Sequence, residues 1–345
     1  MAHYRLALAI VISALLAWAS LAHAFDGEKE LYEAAKKEKD FTWYTAHYGS
    51  ETAAGVCGGF EKKYPGIKCN YVRTTAQVAY QRLAQDQKAN LAIASLIGST
   101  DLSHFPRMKK DGWLMKYRPK SLGELIDAAL PYNDPDDTFF ITAAGLVIIS
   151  YNTSLVKEAD APKKWTDLLD PKWRGKVSIG HPSFSGYVGT WVVLMRKLYG
   201  WDYFKKLELN KPRIGRSIND TVTMLNAKES WVAAGPVATT LQSRDKGNPL
   251  AVVYPDDGAL LMISPSGILK NAPAPNTAKL FMEYLYSKEC NEIMVKLRED
   301  SINKHVKPLP GAKSLAEIKT IRPTYDEIEK GIPEVKEQFR DTFGI

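Results

Sequence analysis

The residues best suited to hold a small charged molecule are hydroxyls and a glycine at the start of a helical run, Ser183-Phe184-Ser185-Gly186-Tyr187. Free backbone N–H groups at a helix start, assisted by a serine hydroxyl, bind an anion without needing a charged side chain. Plain N-capping by Ser185 is the competing reading. A second cluster, Trp43-Tyr44-Thr45-Ala46-His47-Tyr48, ends a short β run and enters a turn. Aromatic walls with a few polar groups describe a pocket for a small organic molecule, with Thr45, His47 and Tyr48 as its candidates. Trp43 reads as core, because its neighbours alternate. The turn Gly98-Ser99-Thr100-Asp101 adds Ser99 and Thr100, while Asp101 can equally cap the helix that follows. Arg216-Ser217 opens another helix; Arg216 either grips a carboxylate or phosphate in bidentate fashion or lies in solvent.

Catalytic and metal patterns are weak by comparison. Ser154-Leu-Val-Lys157 matches SxxK, but no KTG accompanies it and no GxSxG elbow occurs. No CxxC or HExxH is present and the six histidines are scattered, so neither an enzyme, a metal site nor a cofactor is expected. Three cysteines are too few for a disulfide scaffold. Cys57 and Cys69, 12 apart, are read either as a bridge or as two buried hydrophobes; Cys290 is left over.

The elements that position these residues alternate between helix and strand. Helices are expected over 28–39, 50–63, 76–88, 187–198 and 218–225, and from 277 to the end except for the proline-rich link 307–311. Strands are expected over 41–44, 67–72, 91–96, 146–151, 176–179, 231–234 and 251–254. An apolar run over 260–263 is broken by Ser264-Pro265-Ser266-Gly267 and resumes at Ile268. Residues 118–137 look like a surface crossing. Strand, turn, helix in repeated order predicts an α/β fold with a largely parallel sheet, whose ligand loops lie at the carboxyl ends of the strands.

Length and composition set the frame. The chain has 345 residues, 45% of them hydrophobic and 25% charged, which excludes general disorder and predicts two domains or one large α/β unit. A net charge of +7 with no dense basic block argues against a nucleic-acid partner. Residues 1–24 read as a cleaved export signal: Arg5, an apolar run from Leu6 to Trp18, then Ala22-His23-Ala24. That apolar run is too short to span a bilayer, so a soluble, exported protein is expected.

Three segments carry a resemblance to a known family. The stretch Pro162-Lys-Lys-Trp165-Thr-Asp-Leu-Leu-Asp170-Pro171-Lys172-Trp173-Arg-Gly175-Lys-Val resembles a signature of periplasmic solute-binding proteins of the ferric-ion-binding type, which serve ABC importers. Leu146 to Thr153 resembles the strand by which that family enters its second lobe. Tyr254 to Ala259 with Ala274 to Phe281 resembles the return crossing and the helix after it. The resemblance implies a type II clamshell joined by two crossing strands, monomeric, with a small-molecule ligand in the cleft and an inner-membrane permease as partner. It implies lobe one over 25–148 and 260–309, and lobe two over 149–259 and 310–345. In iron-binding members two adjacent tyrosines of lobe two hold the metal; the matching positions here are Val237 and Ala238, which cannot. The anion half of the family site corresponds to Ser185, Gly186 and Tyr187, with Arg216 and Ser217 contributing. Asp257 falls near the second crossing, where a ligand ammonium or a hinge hydrogen bond could use it. The expected ligand is thus a small organic anion: a carboxylate, phosphonate or phosphorylated metabolite. The alternatives are ferric ion held by another ligand set, a polyamine or thiamine cation at Asp101 and Asp257, and, last, a secreted hydrolase.

Overall fold

A computed structural model of the protein describes residues 25–345 apart from 39, 311 and 316. The predicted export signal lies outside those residues. Two long strands organise the rest. Strand β4 (Phe140–Asn152) is buried at every position but one, and β9 (Ala259–Ile268) at every position. Near-continuous apolar sequence is what a strand covered on both faces requires. The two pair antiparallel from Phe140↔Ser266 to Val147↔Leu260 and run through the middle of one continuous sheet.

On one side of them, β1 (Phe41–Thr45), β2 (Cys69–Arg73) and β3 (Leu96–Gly98) are mutually parallel, and β3 joins β9. The register sets Thr45 beside both Arg73 and Gly98, so three strands end at one level. On the other side, β5 (Val177–Gly180), β6 (Arg213–Gly215) and β7 (Val232–Pro236) are parallel, and β7 joins the far half of β4. A further strand, β8 (Leu250–Val253), also pairs with that half of β4. The parallel sheet expected from the βα pattern is therefore present in two halves, with an antiparallel pair shared between them.

Helices cover each half. Helices α1 (Glu28–Ala35), α2 (Ser50–Lys63), α3 (Ala76–Lys88) and α4 (His104–Lys110) belong to the first lobe. Helices α5 (Gly186–Tyr199), α6 (Asp202–Leu209), α7 (Asp220–Asn226) and α8 (Val237–Asp245) belong to the second. The chain then returns to the first lobe: α9 (Pro275–Tyr286) packs on α1, and α10 (Lys288–Lys296) packs on α2. After the short strand β10 (Thr320–Ile321), α11 (Tyr325–Phe343) lies across α5 and α6. Its start is fixed by a capping box, Thr324 with Glu327.

Several expectations need correction. Ser264 to Gly267 does not break the strand. Pro265 sits opposite Ile141, next to a register shift between Ile141 and Ala143, where a missing N–H disturbs the ladder least. Regular strand covers only the end of 91–96; Leu91 is 50% exposed and has no strand beside it. The described residues of 297–324 are mostly irregular rather than helical. The 118–137 crossing is no loose surface loop, since Leu122, Leu125, Ala129 and Tyr132 are buried in its 3-10 turns.

Cys57 on α2 and Cys69 on β2 form a disulfide, Cα–Cα 5.4 Å, while Cys290 is buried and free. The bridge ties α2, the helix that follows the loop 46–49, to the strand after it. No described helix is long and apolar enough to cross a membrane.

Candidate functional site

The carboxyl ends of the two parallel strand sets face each other across a cleft, as the strand-end rule for α/β sheets requires. From the first lobe, His47, Tyr48, Arg73, Thr75 and Thr100 line it. From the second come Ser185, Tyr187, Ser217, Asn219, Ala238 and Thr239. Glu299 and Asp300, just past α10, complete the wall. The space is narrow, about 50 Å³. That admits a few waters or a small polar solute, because one water needs roughly 10–15 Å³. Larger depressions of about 650 and 790 Å³ lie elsewhere, but neither is lined by strand ends of both lobes.

The lobes are closed on each other. The Gln77 N–H of α3 donates to the Phe184 carbonyl at 3.3 Å, and Lys336 of α11 pairs with Asp101 at 3.1 Å. A Cβ added to Gly186 would run into the backbone of Thr100 and Asp101. The start of α5 thus presses against the first-lobe turn, and only glycine allows that approach.

Arg73 is the cleft's main cationic group. Its Nε donates to the Tyr48 carbonyl at 2.9 Å, and among the described residues it forms no ion pair. Burial lowers its pKa, with nearby Asp220 opposing. Beside it, the Thr75 hydroxyl is buried without a partner. Ser185 caps α5, its Oγ accepting from the Val188 N–H at 3.4 Å. The capping reading is therefore correct for this serine, and it does not exclude ligand contact, since Ser185 and Tyr187 both line the cavity. The Ser264 hydroxyl donates to the Tyr187 hydroxyl at 2.8 Å, and Ser217 donates to Asp220 at 2.9 Å.

His47 is packed into the first lobe. Its Nε2 faces the Pro265 carbonyl at 3.0 Å, and desolvation depresses its pKa to about 4 despite that carbonyl and Ser99's. The ring is neutral at physiological pH, and Nδ1 has no partner. Glu299 and Asp300 behave oppositely. Both are partly exposed, yet burial raises each carboxyl to about 7. Thr52 donates to Glu299 at 2.9 Å.

These shifts set a pH dependence. A carboxyl whose folded pKa exceeds its ordinary value leaves the fold most stable when protonated, so its contribution falls as pH rises from about 4 to beyond 7. His47 acts the other way, adding stability as pH rises from about 4 through 6.5. Asp300→Asn isolates the first effect. The stability of wild type relative to this variant should fall between pH 4 and 7.5 and level off above it, as urea titrations of the unliganded protein would show. A constant difference would mean that Asp300 titrates normally.

The structure brings together His47, Tyr48, Thr100, Ser185, Tyr187 and Ser217, as the sequence suggested, and leaves others out. Thr45 lies below the cavity floor, its Oγ1 accepting the His47 N–H at 3.3 Å. Ser99 shapes its turn by accepting the Asp101 N–H at 3.1 Å. Gly186 is a contact between lobes. Arg216 is exposed and stacks over Phe184, 5.0 Å from the ring centre, outside the cavity. Asp257 accepts from the Trp165 N–H and the Tyr199 hydroxyl and holds the second lobe together instead of facing a ligand. Asp101 is taken up by Ser103, His104 and Lys336, which leaves no free carboxylate there for a cation. Arg73, Thr75, Asn219, Thr239, Glu299 and Asp300 were not foreseen. Ala238, at one of the positions where the iron-binding pattern has its tyrosines, does face the cavity, with a methyl group in place of a phenolate. No three of His, Cys, Asp or Glu converge to hold a metal ion among the described residues.

This architecture, two α/β lobes closing over a polar cleft and joined by long shared strands, is that of type II periplasmic binding proteins. The chain belongs to the bacterial extracellular solute-binding protein family, whose model matches residues 86–330. It is 25% identical over 261 residues to a Salmonella typhimurium protein that carries the provisional name of 2-aminoethylphosphonate-binding periplasmic protein, covering 72% of this chain and 71% of that one. Among solved structures it resembles the periplasmic binding protein AfuA of Actinobacillus pleuropneumoniae with fructose-6-phosphate bound: TM-score 0.79, 22% identity, 89% of this chain and 99% of the other. It also resembles iron-bound HitA of Pseudomonas aeruginosa, with TM-score 0.74, 19% identity, and 88% and 99% coverage.

Proposed function

We propose that the protein is the periplasmic substrate-binding component of an ABC importer and that it captures a small phosphonate or phosphate ester by closure of its two lobes. It passes the solute unchanged to an inner-membrane permease and catalyses nothing itself. The observation that carries this reading is Arg73, a guanidinium in the cleft with no carboxylate paired to it, across from the serine-capped start of α5. Guanidinium and helix N–H groups together bind a tetrahedral oxyanion through charge-assisted hydrogen bonds. The names of the relatives support a phosphorus-bearing ligand, and the narrow cavity favours a small one. Following the strand topology, the first lobe takes 25–148 and 260–309, and the second takes 149–259 with the C-terminal helix.

A thermal-shift screen over phosphonates, sugar phosphates, carboxylates, ferric citrate and polyamines tests the reading. Ligand at 100 times its dissociation constant adds about 2.7 kcal/mol of apparent stability. Phosphonates or phosphate esters should give the largest shift. Stabilisation by ferric ion or by polyamines alone would sink the proposal.

A further inference from the structure

The cleft contains a second charged feature that an anion does not explain. Glu299 and Asp300 line the same cavity as Arg73 and Ser185, and no lysine, arginine or histidine pairs with either among the described residues. The adjacent Arg298 is turned away to Asp245, 2.6 Å distant. Arg73 does not compensate them either: the acid close enough to act on it is Asp220. Around the pair stand the uncharged hydroxyls of Tyr48, Tyr187 and Tyr254 and that of Thr52. Two neighbouring, partly buried carboxylates without a counter-charge are costly, and proteins keep such groups paired or use them.

His47 supplies an independent observation. It is 8% exposed and lines the cavity. With Nε2–H donating to the Pro265 carbonyl, Nδ1 is a bare acceptor, and it has no donor. A ligand that is only an anion would leave this nitrogen unmatched and add to the repulsion of the carboxylates.

We infer that Glu299 and Asp300, with Nδ1 of His47 as a neutral acceptor, form a subsite for an ammonium group, so that the captured solute is a small zwitterion with an oxyanion at one end and an amine at the other. This rests on the anion reading above and adds the second pole. An ammonium has three donors and no acceptor, which suits two carboxylates and a bare ring nitrogen.

The test is calorimetric titration with matched pairs that differ in one amino group: ethylphosphonate against 2-aminoethylphosphonate, and propionate against β-alanine. The amino member of at least one pair should bind tenfold tighter or more. In Glu299→Gln and Asp300→Asn that ratio should shrink toward one, while ethylphosphonate binds as well as before or better because repulsion has been removed. Both variants preserve shape, and retained ethylphosphonate binding shows that they fold. Equal binding within the pairs, or a ratio that survives the double variant, overturns the ammonium subsite and leaves the anion reading standing. Binding of 1,4-diaminobutane or ferric ion with no response to any phosphonate or carboxylate overturns the anion reading, and the zwitterion with it.

Discussion

Replacing Arg73 by methionine should reduce affinity for a phosphonate or phosphate ester by about one to two decades. A hydrogen bond to a charged group contributes roughly 1.5–3 kcal/mol, and 1.4 kcal/mol is tenfold in affinity. Arg73 stands at the end of β2, where its aliphatic stem is half-buried and its Nε is held by the Tyr48 carbonyl. That hydrogen bond aims the rest of the fork into the cleft. Methionine keeps the stem's packing and removes only the charge and donors. Arg73→Lys should recover part of the loss, because it restores charge without the planar fork. Titration calorimetry of both variants, with circular dichroism to confirm folding, decides the matter. A folded Arg73→Met that binds as tightly as wild type would remove the guanidinium from the site.

Gly186→Val should have an effect of similar size through a different cause. A side chain here meets the Thr100 carbonyl and the Asp101 nitrogen, both backbone atoms that cannot rotate aside. The substitution should wedge the lobes open and leave each half-site intact. Since the open form carries no such clash and glycine is a poor helix residue, the fold itself should not suffer. A ligand then reaches the second lobe only and forfeits Arg73, which is expected to cost about two decades of affinity, the population-shift consequence of losing the closed state. Small-angle scattering should show wild type compacting on ligand addition and Gly186→Val remaining extended. Gly58→Ala is the control, because a Cβ there meets nothing within 4 Å. Should Gly186→Val compact normally, the contact between α5 and the Thr100 turn would not govern closure.

What could be read from the sequence follows from where each residue stands relative to a strand end. The turns after β1 and β5 were legible because aromatic or apolar runs stop abruptly at hydroxyls and glycine. The same rule reaches Arg73-Thr74-Thr75, at the end of β2, but a single arginine on a short strand looks like an ordinary solvated face. Glu299 and Asp300 follow a helix, so no strand-end rule finds them; only the folding of that segment against Tyr48 and Tyr187 brings them to the cleft. Arg216 and Asp257 misled for the converse reason. Their chemistry suits a ligand, but direction decides: one guanidinium lies flat on Phe184, and one carboxylate is occupied by Trp165 and Tyr199. The residue after Asp257 gives Trp165 of the long Pro162–Val177 signature its particular partner, since the indole N–H donates to the Gly258 carbonyl. Pro265 hid the longest feature of the second crossing, since a proline in sequence cannot announce that it lies beside a bulge.

The contacts between Gln77 and Phe184 and between Lys336 and Asp101 involve no solute, and they favour the shut clamshell whether or not it is loaded. A transporter that recognises the shut shape would then be engaged by empty carriers, and its cycles would be wasted. The Glu299–Asp300 pair opposes this. Shutting an empty cleft takes water from two neighbouring carboxyls, and on the inference above an amine delivered by the cargo would offset that cost. On the inference of an ammonium subsite, the acidic pair would act as an occupancy check that favours the shut shape when cargo is inside.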